Sequence, residues 1–133
     1  MPDKIKIIHV TPGKKPKIRE TATDIKSLHE LVGGYFQAVC PWDDPVILVC
    51  NDEGKIVDME PNRVLENEDG EALDVITGPF FLCGAGEEEF ASVPEELIPK
   101  YEALFHSPEV FFRGADDHVY YMRTDGSGPK LLI

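Results

Sequence analysis

The sequence predicts an α+β fold: a largely antiparallel or mixed β-sheet with two to three short helices packed on one face. Three observations carry this prediction. Apolar runs of strand length recur along the chain, separated by Gly-, Pro-, Asn- and Asp-rich turns. Only a few segments repeat apolar residues at helical spacing. The resulting order, β-β-α-β-β-(α)-β-α-β-β, contains no succession of parallel βαβ units.

The elements follow in chain order. Ile5 to Val10 is β-rich, Thr11 to Pro16 is turn chemistry, and Lys17 to Thr21 alternates, so the first two strands form a hairpin. Lys14, Lys15 and Lys17 suit an edge, where charge discourages strand addition. Asp24 is placed to cap a helix whose Ile25, Leu28, Leu31 and Val32 form one stripe. Gly33-Gly34 ends that helix, with Gly33 at positive φ. Tyr35 to Cys40 is a strand, Pro41 to Pro45 a loop, and Val46 to Cys50 a buried strand. Asn51 to Lys55 is a tight turn. Pro61 is positioned to begin a short helix with Val64 and Leu65 inward. Residues 73–83 read as one strand, bent or bulged at Gly78. Ser92, Pro94 and Glu95 mark a helix start, with Leu97, Tyr101, Leu104 and Phe105 facing inward. Val110 to Phe112 is a short strand, and 119–123 with 131–133 make a closing hairpin.

The chain has 133 residues, 42% apolar and 29% charged, which fits one globular domain over 1–133. No apolar run reaches the length of a membrane span, so no membrane partner is expected. The start, MPDKIKIIHV, has no signal-type apolar region, and the expected location is cytoplasmic. The net charge of −12 is uneven. Residues 1–31 hold seven Lys/Arg against four Asp/Glu, 32–42 hold none, and 43–109 hold 18 acids against Lys55, Arg63 and Lys100. Direct binding of nucleic acid is not expected, because it needs a net basic face. The acidic middle is either a solvated surface or a mimic of DNA phosphates.

No constellation points to catalysis, and the protein is expected not to be an enzyme. His9, His29, His106 and His118 are scattered without zinc spacing, so no metal and no cofactor are expected. Cys40, Cys50 and Cys83 lie in or beside apolar runs and read as reduced, inert side chains. Nucleotide-loop and nucleophile-elbow motifs are missing from the sequence. Arg63 is the informative residue, a cation in an acidic stretch that holds only two others, Lys55 and Lys100. It could fork onto a carboxylate or phosphate of a ligand, or pair with a nearby acid and hold a loop. If there is a ligand site, it is expected where Gly33-Gly34-Tyr35, Asn51 to Lys55 and Pro61-Asn62-Arg63 converge. Tyr35 would stack on a ring, Asn62 read an edge and Arg63 neutralise an anion, with Asn51 and Lys55 beside them. Gly33, Gly34 and Gly78 are the positions of special backbone geometry.

Val32-Gly33-Gly34-Tyr35-Phe36-Gln37-Ala38-Val39, Val49 to Lys55, Pro61-Asn62-Arg63, Asp69-Gly70-Glu71 and Asp74 to Phe80 carry a family likeness. In their order and spacing the chain resembles the small bacterial and phage proteins catalogued as domain of unknown function 3846. The likeness spans roughly 4–112, which makes 113–133 a C-terminal β-hairpin extension. It implies a short cytoplasmic protein of phages and mobile elements, and it supplies no catalytic residues. The expected function is a non-enzymatic binding protein that acts on host processes, as in counter-defence, by sequestering a host protein or a small anionic, nucleotide-like ligand. The alternatives are an acidic nucleic-acid mimic and a small enzyme with an unrecognised site. Phe111, Phe112, Tyr120, Tyr121, Leu131, Leu132 and Ile133 exceed what a small core hides, so a homodimer or higher homo-oligomer is expected.

Overall fold

The strand runs pair into three antiparallel sheets in the computed structural model, which describes residues 4–54, 58–67, 69–126 and 128–132. The largest holds β1 (Lys4–Val10), β2 (Lys17–Ala22), β3 (Phe36–Val39), β4 (Val46–Asn51) and β7 (Phe80–Ala85), in the order β2-β1-β7-β4-β3. The short β8 (Phe90–Ala91) returns beside β7. β5 (Pro61–Glu66) and β6 (Ala72–Thr77) form a hairpin, and β9 (Glu109–Arg113), β10 (Val119–Arg123) and β11 (Lys130–Leu131) form a C-terminal sheet.

The central strands are apolar on both faces, so each face must be covered. Ile5, Ile7, Val49, Phe81 and Cys83 point to one side and pack under Leu28, Leu31 and Val32 of α1 (Ile25–Val32). Ile8, Val10, Val46, Leu48, Phe80 and Leu82 point to the other, under Ile98 and Tyr101 of α2 (Ile98–Leu104), with Ile76 and Phe105. The helices therefore lie on opposite faces of the sheet, which corrects the expectation that they share one. Among the described residues, no helix is long and apolar enough to cross a membrane.

Local chemistry explains the helix ends. Asp24 accepts the Ser27 backbone N–H at 3.0 Å, and Gly33 closes α1 at φ 79°. His9 ties this end to the sheet: its Nδ1 meets Arg19 at 2.9 Å and its Nε2 meets the Leu31 carbonyl at 3.0 Å. Arginine can only donate, so the ring proton sits on Nε2. Ser92 caps no helix. Its Oγ accepts the Lys6 N–H at 2.9 Å and holds the β8 end against β1, while a 3₁₀ turn over Glu95–Leu97 leads into α2. Leu104, expected inward, is exposed.

Two elements differ from expectation. Pro61–Glu66 is a strand, because it pairs with β6 (Val64 opposite Val75). The register slips between Pro61 and Arg63, and this bulge lets the consecutive Asn62 and Arg63 both be fully buried. Residues 73–83 are not one strand: Gly78, at φ 76°, separates β6 from β7, which belong to different sheets. The C-terminal segment is a three-stranded sheet rather than a hairpin, and its Glu109, Tyr121 and Arg123 face β5.

Candidate functional site

The glycine turns and the Asn62 strand do meet, but by packing. Gly78 and Gly33 both lie against the Met59 side chain: a Cβ at Gly78 would fall 2.8 Å from its sulfur, and one at Gly33 3.0 Å from its terminal carbon. Gly34 lies against Asn51, whose side-chain amide donates to the Val32 carbonyl at 3.1 Å and whose Oδ1 accepts the Glu53 N–H at 2.8 Å. The Asn62 amide donates to the carbonyls of Val10 (3.0 Å) and Gly78 (2.9 Å). These side chains satisfy buried backbone groups at the junction of β1, β4, β5 and β6. Tyr35 stands apart, 70% exposed, with its ring edge-on to His29. Lys55 lies outside the described residues.

Arg63 is fully buried, and it makes five hydrogen bonds, as many as a guanidinium has N–H groups. Nε and Nη2 donate to the Phe105 carbonyl (3.3 and 3.0 Å), Nη2 also to the Lys14 carbonyl (2.7 Å), and Nη1 to the Asn62 carbonyl and Oδ1 (3.2 and 2.8 Å). The residue expected to meet an anion instead ties β5 to the β1–β2 turn and to the end of α2. It does so through carbonyls, not through an acid partner. Burial lowers its pKa, and nearby Glu109 opposes this.

Around it a polar network joins the C-terminal sheet to β5. Glu109 accepts the Val64 N–H at 2.9 Å. Glu66 accepts from Tyr121, from Arg123 at 2.6 Å and from Lys130 at 3.1 Å. Burial pushes the Glu109 carboxyl up. Burial also acts on Glu66, but the bonds from Tyr121, Lys130 and Arg123 together hold it below the usual carboxylate range. These groups are committed to holding two sheets together.

The open concavity lies elsewhere. A groove of about 290 Å³ runs between β3–β4 and β6, with Val39, Leu48, Leu65 and Ile76 among its apolar walls. Its charged described residues are Asp52 and Asp74. A second hollow of about 350 Å³ shares Leu65 and adds Trp42, Asp43, Asp44, Glu66 and Lys100. There Lys100 and the Tyr101 hydroxyl both donate to Asp44 at 2.6 Å, and they hold its carboxyl below the usual range. Gln37 and Val39, on the groove wall, belong to β3, the last strand of its sheet. Sequence reasoning placed Asp52 within the expected Asn51 to Lys55 segment but passed over Gln37, Val39 and Asp74. The one available signal was the charge-free run 32–42 followed directly by acids. Of the segments expected at a ligand site, Asn51 to Lys55 contributes Asn51, Asp52 and Gly54 to this groove.

Among the described residues, no group of three or more His, Cys, Asp or Glu is placed to hold a metal ion. Cys83 is buried, and desolvation, with nearby Cys40, pushes its thiol up to about 12. Cys40 is exposed, contrary to the expectation of three inert thiols.

Comparison with known proteins gives a family without an activity. No curated protein and no solved structure matches the chain significantly. The profile described as domain of unknown function (DUF3846) matches residues 5–106, which run from β1 through α2 and stop short of the C-terminal sheet. The chain therefore belongs to the DUF3846 family, with β9–β11 lying beyond the matched region.

Proposed function

We propose that the chain is a non-enzymatic binding protein that sequesters a host protein in the cytoplasm, as its likeness to phage and mobile-element proteins suggests. One observation carries the choice of a protein over a small anion. Arg63, the cation that an anion site needed, spends all its donors on carbonyls of its own fold, while the open groove carries Asp52. Carboxylates around a concavity repel an anionic ligand and attract a basic partner.

Native mass spectrometry of the chain recovered from cells that carry it tests this. The expected result is a protein partner in fixed stoichiometry that salt releases. A retained nucleotide or other small anion would overturn the reading. A captured protein that DNA displaces would replace it with nucleic-acid mimicry.

A further inference from the structure

Resting on that reading, we infer that the partner docks as an extended, lysine- or arginine-bearing segment, added as a further strand beside β3 with its basic side chains in the groove.

The register of β3 identifies the free backbone groups. The Asp52 N–H donates to the Tyr35 carbonyl at 2.9 Å, so 35 and 52 form a hydrogen-bonded pair. Antiparallel alternation then gives Gln37–Cys50 and Val39–Leu48 the same status. Phe36 and Ala38 therefore turn their N–H and C=O groups away from β4, and no described strand lies on that side. The two ends of the sheet are treated differently. β2 guards its edge with Lys17, Arg19 and Glu20, whereas residues 32–42 hold no charge at all. An unguarded edge is a template for strand addition.

What the added strand carries follows from the groove. In a strand beside β3, alternate side chains fall on the face of Gln37 and Val39, both of which line the groove. There they meet Leu65, Val75 and Ile76, with Asp52 and Asp74 among the lining. A lysine or arginine fits this surface, laying its aliphatic stem on the apolar wall and its charge by the Asp52 carboxylate. The second hollow, near the end of β3, adds Asp43, while its Asp44 is held by Lys100 and Tyr101. An acidic segment would be repelled by Asp52 in the groove and by Asp43 beyond it.

The test uses fluorescence polarisation with the full chain and two blocked peptides of about eight residues, enough to run past β3. In one, valine alternates with lysine, and in the other with glutamate. The lysine peptide is expected to bind at least about tenfold more tightly. Ala38→Pro removes an outward N–H and leaves the β3–β4 ladder bonds in place, a substitution that edge strands accept. It is expected to weaken binding by about tenfold or more at an unchanged melting temperature. Asp52→Lys is expected to do the same, and Arg19→Glu, on the opposite edge, to change nothing. Should A38P fail to fold, Val39→Lys tests the same edge by adding the charge it lacks. Equal binding of the two peptides, no binding of the lysine peptide, or full affinity in A38P and V39K overturns the inference. So does an oligomer that A38P dissolves, since the basic β2 of a second copy would then occupy the edge. A partner captured from cells equally by wild type and A38P would keep the binding protein and discard this groove.

Discussion

Replacing Arg63 separates a fold-holding arginine from a ligand-reading one. Arg63→Ala would leave four acceptors without their donor: the carbonyls of Phe105, Lys14 and Asn62, and Asn62 Oδ1. A buried polar group left unsatisfied costs about 1–3 kcal/mol, and water entering the vacated space would recover part of that. Removing a buried cation also relieves its desolvation, which offsets some of the loss. Lost packing of the stem adds to it. The net expectation is a destabilisation of about 4 kcal/mol, the range of other large core disruptions. For a chain of this length that corresponds to a fall of roughly 12 °C or more in melting temperature. Arg63→Lys can reach at most three acceptors and cannot span all three segments, so it should still lose about 2 kcal/mol. Urea unfolding followed by circular dichroism measures both, and the dependence on denaturant should stay close to wild type. An R63A protein within about 1 kcal/mol of wild type would refute this assignment, because five bonds, four of them buried, cannot be deleted at no cost. Loss of partner binding in such a stable variant would return Arg63 to a ligand role.

Four further outcomes are expected. Because Glu66 titrates below the usual glutamate range of about 4.3, its stabilisation is complete above that pH and is lost as pH falls through the lower folded value. The stability gap between wild type and Glu66→Gln should therefore be full at neutral pH and shrink in acid; a gap as wide at pH 3 would contradict it. Glu109 has the opposite sign: its raised carboxyl makes the ionised form costly, so acid relieves it, and Glu109→Gln should lose less than E66Q at neutral pH. A maleimide probe should label Cys40 in the folded protein and reach Cys83 only on unfolding, and rapid labelling of Cys83 by mass spectrometry would show the β7 core to be open. The outer face of the C-terminal sheet carries Val110, Phe112, Tyr120, Met122 and Leu131, since Glu109, Tyr121 and Arg123 point inward. Sedimentation should find a self-associated chain that Phe112→Glu converts to monomer, and wild type sedimenting only as monomer at micromolar concentration would end that expectation.

Where local chemistry suffices, the sequence determined the outcome. Asp24 and Gly33 bound α1 through a side-chain bond and a positive φ that nearest neighbours dictate, and the central strands of the large sheet follow from short apolar runs bounded by turn residues. The acidic character of the groove was also present in the sequence, as acids bordering a charge-free run. Other features were decided by partners far along the chain. Pro61 suits the first turn of a helix and the first residue of an edge strand equally, and pairing with β6 settles it. The polar residues Asn62 and Arg63 read as ligand-facing groups at the start of a helix because the carbonyls that receive them belong to Val10, Lys14, Gly78 and Phe105, up to 52 positions away. Periodicity shows that a residue is apolar but not which sheet face needs covering, so the two helices were assigned to one face when they occupy both. The free edge of β3 likewise exists only because the chain places that strand last in its sheet, a property of topology that no local pattern encodes.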